Sequence, residues 1–389
     1  MKRWYGAVAA TLLIILLALS CAPKETPAKQ DTSPSVSVPA TPSATQKQGW
    51  EKEFEDTLVE ARKEGKVVVY QTAGPDLRDA LAKAFFNKYG ITVESLTGTG
   101  AQVSEKIIRE RKAGLYLSDL YQGGVTTPTL ILKPNGVLDP LEPNFMIPDV
   151  KDLELIKKVW WEGKLQWVDN DHKILSFMAF PIPWLVMNTE LVKADEISSY
   201  RDLLNPKWKG KIVMLDPFMP GPGGKLFSTS SKYIVGLDFW RDFAKQEPLI
   251  LRDSRQVVEG VARGKYAFTV SPLTDVVEAF RREGAPLAYR MPLEGGSLTA
   301  GHGGLAIINN PPHPNASKIF INWILSKEAV ELFSKVYNVQ SARQDVPTDF
   351  LAPERRRLPD VKYVWPEVED FLLEEGKYYV QGREIFGIR

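Results

Sequence analysis

Several short turns in this 389-residue chain set glycines or hydroxyl side chains at the start of a helical pattern. They are Thr72-Ala73-Gly74, Thr97-Gly98-Thr99-Gly100, Gly123-Gly124, the stretch 217–224 with Gly221 and Gly223, Asp253-Ser254-Arg255, and the residues around Ser271. Glycine lets a backbone approach a bound group closely, and a helix N-terminus presents unpaired N–H groups suited to an anionic or carbonyl oxygen. The chemistry on offer is recognition of a polar or oxyanionic molecule. Each position also has a plainer use. Thr99 and Ser271 serve equally as ligand contacts or as turn and cap residues, and glycine pairs are ordinary turn formers. Ser254 suits a cap or a ligand contact, and Arg255 suits a counter-charge or a solvated helix surface. Trp184, beside Pro183, offers a face for stacking or fills a core. His302, flanked by glycines in Ala300-Gly301-His302-Gly303-Gly304, suits a ligand contact or a structural hydrogen bond. His172 and His313 read as surface or turn residues.

Signatures of catalysis are missing from this list. The chain contains no His-x-x-x-His, no Gly-x-Ser-x-Gly, no P-loop and no cysteine nucleophile in its body. Asp169-Asn170-Asp171 lacks the rest of a calcium loop. The expectation is a protein that is not an enzyme, with no cofactor and no bound metal.

The one cysteine, Cys21, excludes an intramolecular disulfide. It closes an N-terminal segment with Lys2 and Arg3 followed by an apolar run from Ala7 to Leu19, the pattern of a secretory signal. That run is shorter than the roughly 20 residues a membrane helix needs. Ala18-Leu19-Ser20-Cys21 resembles a lipobox, which implies cleavage before Cys21 and lipidation of its thiol. Residues 22–49, rich in Pro, Ser, Thr, Lys and Gln, bury too little to fold and read as a disordered tether. Taking Lys2 and Arg3 from the 49 basic residues leaves 47 against 48 acidic ones. This balance gives no reason to expect nucleic acid.

From Trp50 onward, helical and strand periodicities alternate. Strands are predicted at 66–71, 91–96, near 119, and at 174–179, 184–188, 211–215, 266–271, 286–291 and 304–308. Helices are predicted at 50–64, 76–89, 103–113, 199–204, 225–233, 236–245, 254–263, 273–283, 314–335 and 367–375. The fold class is α/β with mostly parallel sheets, in two lobes because one sheet of that size would be very large. Ligands of such sheets bind in crevices beyond the carboxyl ends of the strands, where the turns above lie.

Segments spread along the chain resemble a single family. EGKVVVY (64–70), AFFNKYGITVE (84–94), SDLYQGG (118–124), VMNTELV (186–192), NPKWKGKIVMLDP (205–217), VEGVARGKYAFTVSP (258–272) and HPNASKIFINWILSKEAVELF (313–333) follow the order seen in family 1 extracellular solute-binding proteins. The similarity is greatest to their ferric-binding-protein-like branch. The resemblance implies a type 2 periplasmic-binding-protein fold, with two lobes joined by crossing strands near 176–187 and 298–307. It divides the chain into a lipoprotein signal peptide (1–21), the tether (22–49), lobe 1 (50–178), lobe 2 (179–301), and a second part of lobe 1 with a C-terminal wrap (302–389). Thr72, Thr99, Gly100, Gly123, Gly124, Trp184, Gly221, Gly223, Ser254, Arg255, Ser271 and His302 are the candidate ligand-binding residues. The implied partners are a small-molecule or oxyanion solute, an ABC permease with its ATPase, and the membrane through the lipid anchor, with the protein acting as an extracytoplasmic monomer.

The chain departs from the ferric pattern. Members that bind iron place two adjacent tyrosines after the strand matching 266–271, where this chain has Pro272-Leu273. Their carboxylate and histidine ligands fall near Gly124 and Gly74. A hard ion such as Fe³⁺ requires anionic oxygen donors, which glycine, proline and leucine do not supply. Tyr378-Tyr379 lies in the C-terminal helical region and reads as packing. A binder of ferric ion or a ferric complex, and a sensor that presents its ligand to a receptor, are the alternatives.

Overall fold

Strong local signals and long-range pairing build each lobe around its own sheet, and the computed structural model describes residues 49–182 and 184–387. Helix α1 (Gly49–Glu64) leads into strand β1 (Lys66–Gln71), whose Val-Val-Val-Tyr run is central in a sheet. In α2 (Pro75–Tyr89), Leu77, Leu81, Phe85 and Tyr89 recur at four-residue spacing and are buried. Gly90 ends α2 in the left-handed region at φ 73°. Strand β2 (Thr92–Thr97), α3 (Gly100–Lys112), β3 (Leu120–Gly123), β4 (Leu138–Asp139), α4 (Pro148–Lys151), α5 (Leu153–Val159), β5 (Gln166–Trp167) and β6 (Leu175–Ser176) complete the first pass through lobe 1.

The chain then crosses through β7 (Phe180–Pro181) into lobe 2. There β8 (Leu185–Asn188), β9 (Ile212–Leu215), α6 (Pro222–Tyr233), α7 (Gly236–Ala244), β10 (Leu249–Leu251), α8 (Ser254–Ala262), β11 (Phe268–Val270), α9 (Thr274–Arg282) and β12 (Leu287–Arg290) follow. It returns through β13 (Gly296–Thr299) to β14 (Gly304–Ile308), α10 (Pro314–Ile324) and α11 (Lys327–Tyr337), and closes with β15 (Tyr363–Val364) and α12 (Glu369–Ile385).

The lobe 1 sheet runs β2-β1-β3-β14-β6-β5, with β4 also paired to β14, and the lobe 2 sheet runs β10-β9-β11-β8-β12. Strands β1, β2 and β3 are parallel, as are β9, β10 and β11. Strands β14 and β8, which carry the chain between lobes, pair antiparallel to their neighbours. The sheets are therefore mixed rather than mostly parallel, because a strand that crosses a hinge enters its sheet against the direction of the βαβ units.

Packing is dense in both lobes. In lobe 1, Phe85 touches Phe320 and Trp323, each at 5.1 Å between ring centroids. In lobe 2, Phe227, Phe239, Trp240 and Phe243 form a buried aromatic cluster. Burying one such side chain contributes about 1.5–3 kcal/mol. The predicted 314–335 helix is two helices, since Ser326 accepts from the Ala329 N–H and starts α11.

A third, three-stranded sheet lies at the crossing, in the order β15-β13-β7. Its β15 strand comes from the C-terminal wrap, a partner for the crossing strands that the periodicity did not predict. Beyond it, α12 packs on α6 and α7 of lobe 2, while Glu369 at its start meets Lys133 of lobe 1 at 2.6 Å. The C-terminal helix thus contacts both lobes.

Candidate functional site between the lobes

A cavity of about 930 Å³ opens where the lobes face each other. Lobe 1 contributes Gly74, His302, Tyr337 and Asn338 to its wall, Gly301 lies at the return crossing, and lobe 2 contributes Pro222, Lys225, the run 272–275, Glu278 and Arg282. Phe180, Ile182 and Thr299 come from the crossing, and Arg355 comes from the C-terminal wrap. The turns after β1 and β11 both reach this wall, as the crevice rule for strand ends requires.

Three helices begin at the wall. Gly74 precedes α2, Gly221 with φ 143° precedes Pro222 of α6, and Leu273 precedes α9, and no side chain caps any of the three. The first N–H groups of a helix have no intrahelical acceptor and carry the positive end of its dipole. Proline at N1 of α2 and of α6 removes a donor that the helix would not use.

The wall carries more positive than negative charge. Lys225, Arg282 and Arg355 stand against Asp275 and Glu278. Glu278 is already engaged, by Arg281 at 3.0 Å and by the Tyr289 hydroxyl at 2.8 Å. The Lys225 ammonium sits 3.5 Å from Glu375 Oε1, beyond effective hydrogen bonding, and donates to no acceptor among the described residues. Its stem runs against Phe371, with Nζ 5.6 Å from the ring centroid.

His302 is held from behind. Its Nδ1 lies 2.7 Å from Thr72 Oγ1, and its ring meets Tyr337 edge-on at 5.2 Å. Burial lowers its pKa below the ordinary histidine value, since desolvation penalises the imidazolium. Gly123 is required beneath this pair, because a Cβ there would stand 2.6 Å from Thr72 Oγ1. Gly124 lies against the Gly301 carbonyl at 3.5 Å, measured from where its Cβ would be.

The remaining expected contacts lie elsewhere. Ser271, at φ 59°, is buried and donates its hydroxyl to the Pro222 carbonyl at 2.6 Å, which fixes the turn that starts α6. Gly223 packs on the backbone after β9, where a Cβ would fall 2.4 Å from the Asp216 carbonyl. Gly221 is the residue before α6, one position from the wall. Thr99 and Gly100 are off the wall: Thr99 caps α3 reciprocally with Gln102, and Gly100 abuts Thr127. Trp184 is 1% exposed in the lobe 2 core, its ring tilted against Tyr200 at 4.7 Å, with Nε1 donating to Ser297 Oγ at 3.1 Å. It fills a core because its indole N–H has a buried partner there. Asp253 rather than Ser254 caps α8, and Ser254 Oγ accepts from the Leu273 N–H at 3.4 Å. Arg255 is exposed with its guanidinium over Phe280, so the cations on the wall are others.

Lys225, Arg355, Tyr337 and Asp275 were not singled out from the sequence. The Pro-Gly-Gly-Lys start of α6 was the available signal for Lys225. Arg355, in a run of three arginines far along the wrap, carried none.

Pro272, Leu273 and Gly74 line the cavity. Among the described residues no group of three or more His, Cys, Asp or Glu side chains is placed to hold a metal ion.

Residues 80–355 match the family described as bacterial extracellular solute-binding protein, well over half of the chain. The chain belongs to that family. Membership makes it an extracytoplasmic solute-binding protein of the ABC-importer type. An uncharacterized protein of Haemophilus influenzae is 24% identical over 280 residues, spanning 70% of this chain and 76% of that one. Among solved structures, the periplasmic binding protein AfuA of Actinobacillus pleuropneumoniae, with exogenous fructose-6-phosphate bound, aligns with TM-score 0.60 and 19% identity. It covers 84% of this chain and all of its own. The Trichodesmium protein IdiA (FutA), in complex with iron and citrate, aligns with TM-score 0.61 and 17% identity over 83% of this chain and 98% of that one. The apo ferric ion-binding protein A of Pasteurella haemolytica gives TM-score 0.60 at 14% identity, over 82% and 98%. At these identities the likeness is one of fold, the type 2 periplasmic-binding-protein fold. The matched family and these neighbours are binding proteins, not enzymes. No helix of the described residues is long and apolar enough to cross a membrane, and the signal segment, Cys21 and nearly all of the tether lie outside the described residues.

Proposed function

We propose that this solute-binding protein captures a small anionic solute, bearing a phosphate or carboxylate, by hinged closure of its two lobes, and delivers it as a monomer to an ABC permease and its ATPase. Cys21 carries the lipid that holds it at the membrane, and residues 22–49 let the body reach the permease. The reading rests on one observation: three helix N-termini without side-chain caps share a wall with Lys225, whose ammonium donates to no described acceptor. An ammonium taken from water is favourable only when an anion and hydrogen bonds compensate it. Glu375, paired with Lys225 at 3.5 Å, supplies charge without a hydrogen bond, and a solute oxyanion supplies the missing bond; because the helices belong to different lobes, its binding favours the closed arrangement.

The bound molecules in two of the structural neighbours, fructose-6-phosphate and citrate, are anionic as well. A chelated ferric ion would present carboxylates to the same groups without needing a protein ligand, so ferric citrate belongs among the compounds to try. A thermal-shift screen of sugar phosphates, organic acids, amino acids, neutral sugars and ferric chelates tests the reading. An anion at one hundred times its dissociation constant should stabilise the fold by about 2.7 kcal/mol. Stabilisation by neutral sugars alone, with none by any anion, would refute it.

A further inference from the structure

The segment between α11 and β15 runs along the crossing as a strap. Arg343 anchors its start, buried between Asp149 at 2.7 Å and Asp345 at 2.9 Å. Further on, Arg357 donates to the carbonyls of Ala179 and Ser341, and its backbone N–H donates to Gln340 Oε1 at 2.6 Å. Arg356 donates to the carbonyls of Asp349 and Leu351. Glu354 reaches across to Arg281 of α9 at 2.9 Å. Every charged neighbour of Arg355 in this run is committed.

Arg355 is not. It is half-buried, lines the 930 Å³ cavity, and also borders a small adjoining void with Phe180, Thr274, Tyr289 and Val339. Its guanidinium forms no ion pair or hydrogen bond among the described residues, and the carboxylate beside it, Glu354, is spent on Arg281. Arg282 differs, being exposed at the end of α9 where water solvates it. Arg355 and Lys225 enter the cavity from different elements with different surroundings: Lys225 from α6 against Phe371 and Glu375, Arg355 from the strap against Phe180 and Tyr289.

We infer that Arg355 is a specificity-determining residue, taking a second oxyanion of the solute so that molecules with two separated anionic groups are preferred to those with one. A guanidinium presents a planar fork of donors matched to carboxylate or phosphate, and it cannot relieve its position by losing a proton. The bonds of Arg356 and Arg357 tie down the strap backbone beside it, so the segment that carries Arg355 needs little ordering at binding. This selection rests on the reading of the cavity as an oxyanion site.

The test uses purified full-length protein, isothermal calorimetry and two matched pairs of probes. Glycerol 3-phosphate and 3-phosphoglycerate differ by a hydroxymethyl against a carboxylate, and propionate and succinate differ by one carboxylate. The pairs also distinguish a phosphate from a carboxylate as the first group. The two-ended member of at least one pair should bind about tenfold or more tightly than its partner, as expected for one charged contact. R355Q should bring that ratio to about one while leaving the one-ended affinity unchanged, and R355K should restore part of it. K225Q should weaken both members of a pair alike. Since the Arg355 guanidinium bonds to no described residue, the melting temperature of unliganded R355Q should match that of the parent. An unchanged ratio in R355Q, or no two-ended preference in the parent, would overturn the role of Arg355 while one-ended binding kept the oxyanion reading intact. Failure of all four probes, with neutral solutes binding instead, would overturn both.

Discussion

Thr72 and His302 are 230 positions apart in the chain and meet at 2.7 Å on the lobe 1 side of the cleft. Each belongs to a different turn, one after β1 and one before β14, and their contact joins the ends of two interior strands of the lobe 1 sheet.

Stability should depend on the protonation of His302. Burial lowers its folded pKa below 6.5, so the unfolded chain binds the proton more readily. The stabilisation is complete above pH 6.5 and is lost as pH falls from there through the folded pKa. Urea midpoints measured across pH 5 to 8 should rise with pH for the parent and rise less for H302Q. Equal slopes in the two proteins would exclude His302 as the source.

Glu367 should act in the opposite sense. It is 5% exposed and accepts from Thr299 Oγ1 at 2.8 Å and from the Ala300 N–H at 2.7 Å, at the end of the crossing strand β13. Burial raises its pKa above the usual carboxylate value despite these bonds. A raised folded pKa means that its contribution is full below the unfolded pKa and is lost as pH rises through the folded one. E367Q keeps an acceptor for Ala300 and removes the ionisation, so chemical denaturation at pH 7 should show it as stable as the parent or more so. E367A leaves the buried Ala300 N–H unpaired and should cost about 1–3 kcal/mol.

Two glycines in facing helices should respond oppositely to alanine. A Cβ on Gly224 in α6 would stand 2.1 Å from the Met219 carbonyl and 2.8 Å from Tyr379, and the backbone cannot give way cheaply. G224A should therefore lose about 1–3 kcal/mol. Gly376 in α12 has nothing within 4 Å of its Cβ position, so G376A should gain about 0.4–1 kcal/mol from a less flexible unfolded chain. Thermal melts of the two variants check both signs.

Neutralising Lys225 should separate binding from folding. Glu375, its ion-pair partner at 3.5 Å, still accepts from the Ser228 hydroxyl at 2.7 Å, so K225M should fold. The affinity of any anion found by the screen should fall about tenfold or more, the usual loss for one charged hydrogen bond. Calorimetry with that anion decides it, and unchanged affinity would remove Lys225 from the site.

Replacing Cys21 by serine should release the protein from membranes into the soluble fraction. Two or more acyl chains are needed for stable anchoring, and residues 1–20 alone do not supply one after cleavage. Fractionation of cells expressing each form is sufficient.

Much of the scaffold was legible in the residues themselves. The Val-rich β1, the four-residue spacing of α2 and the Thr99–Gln102 capping box are written within a few neighbours, because periodicity and capping are local. Ser326 within the predicted 314–335 helix is a stop signal of the same local kind, a serine that caps the second helix. The family resemblance, carried by short segments in a set order, implied the two lobes and their crossing strands. Proline and leucine at 272–273 already argued against direct ferric coordination.

Which residues form the wall was a different kind of question. Trp184 and Arg255 had suitable chemistry, yet one is consumed by a core and the other by solvent and Phe280. Lys225, Tyr337 and Arg355 come from α6, α11 and the strap, elements that meet only when both sheets are assembled. The sequence alone determined the helices, the strands and the lobed architecture, since backbone preference and hydrophobic spacing act over a few residues. The tertiary structure alone decided which cations at the cleft lack a hydrogen-bond acceptor, because desolvation and charge pairing depend on every group brought near, however distant along the chain.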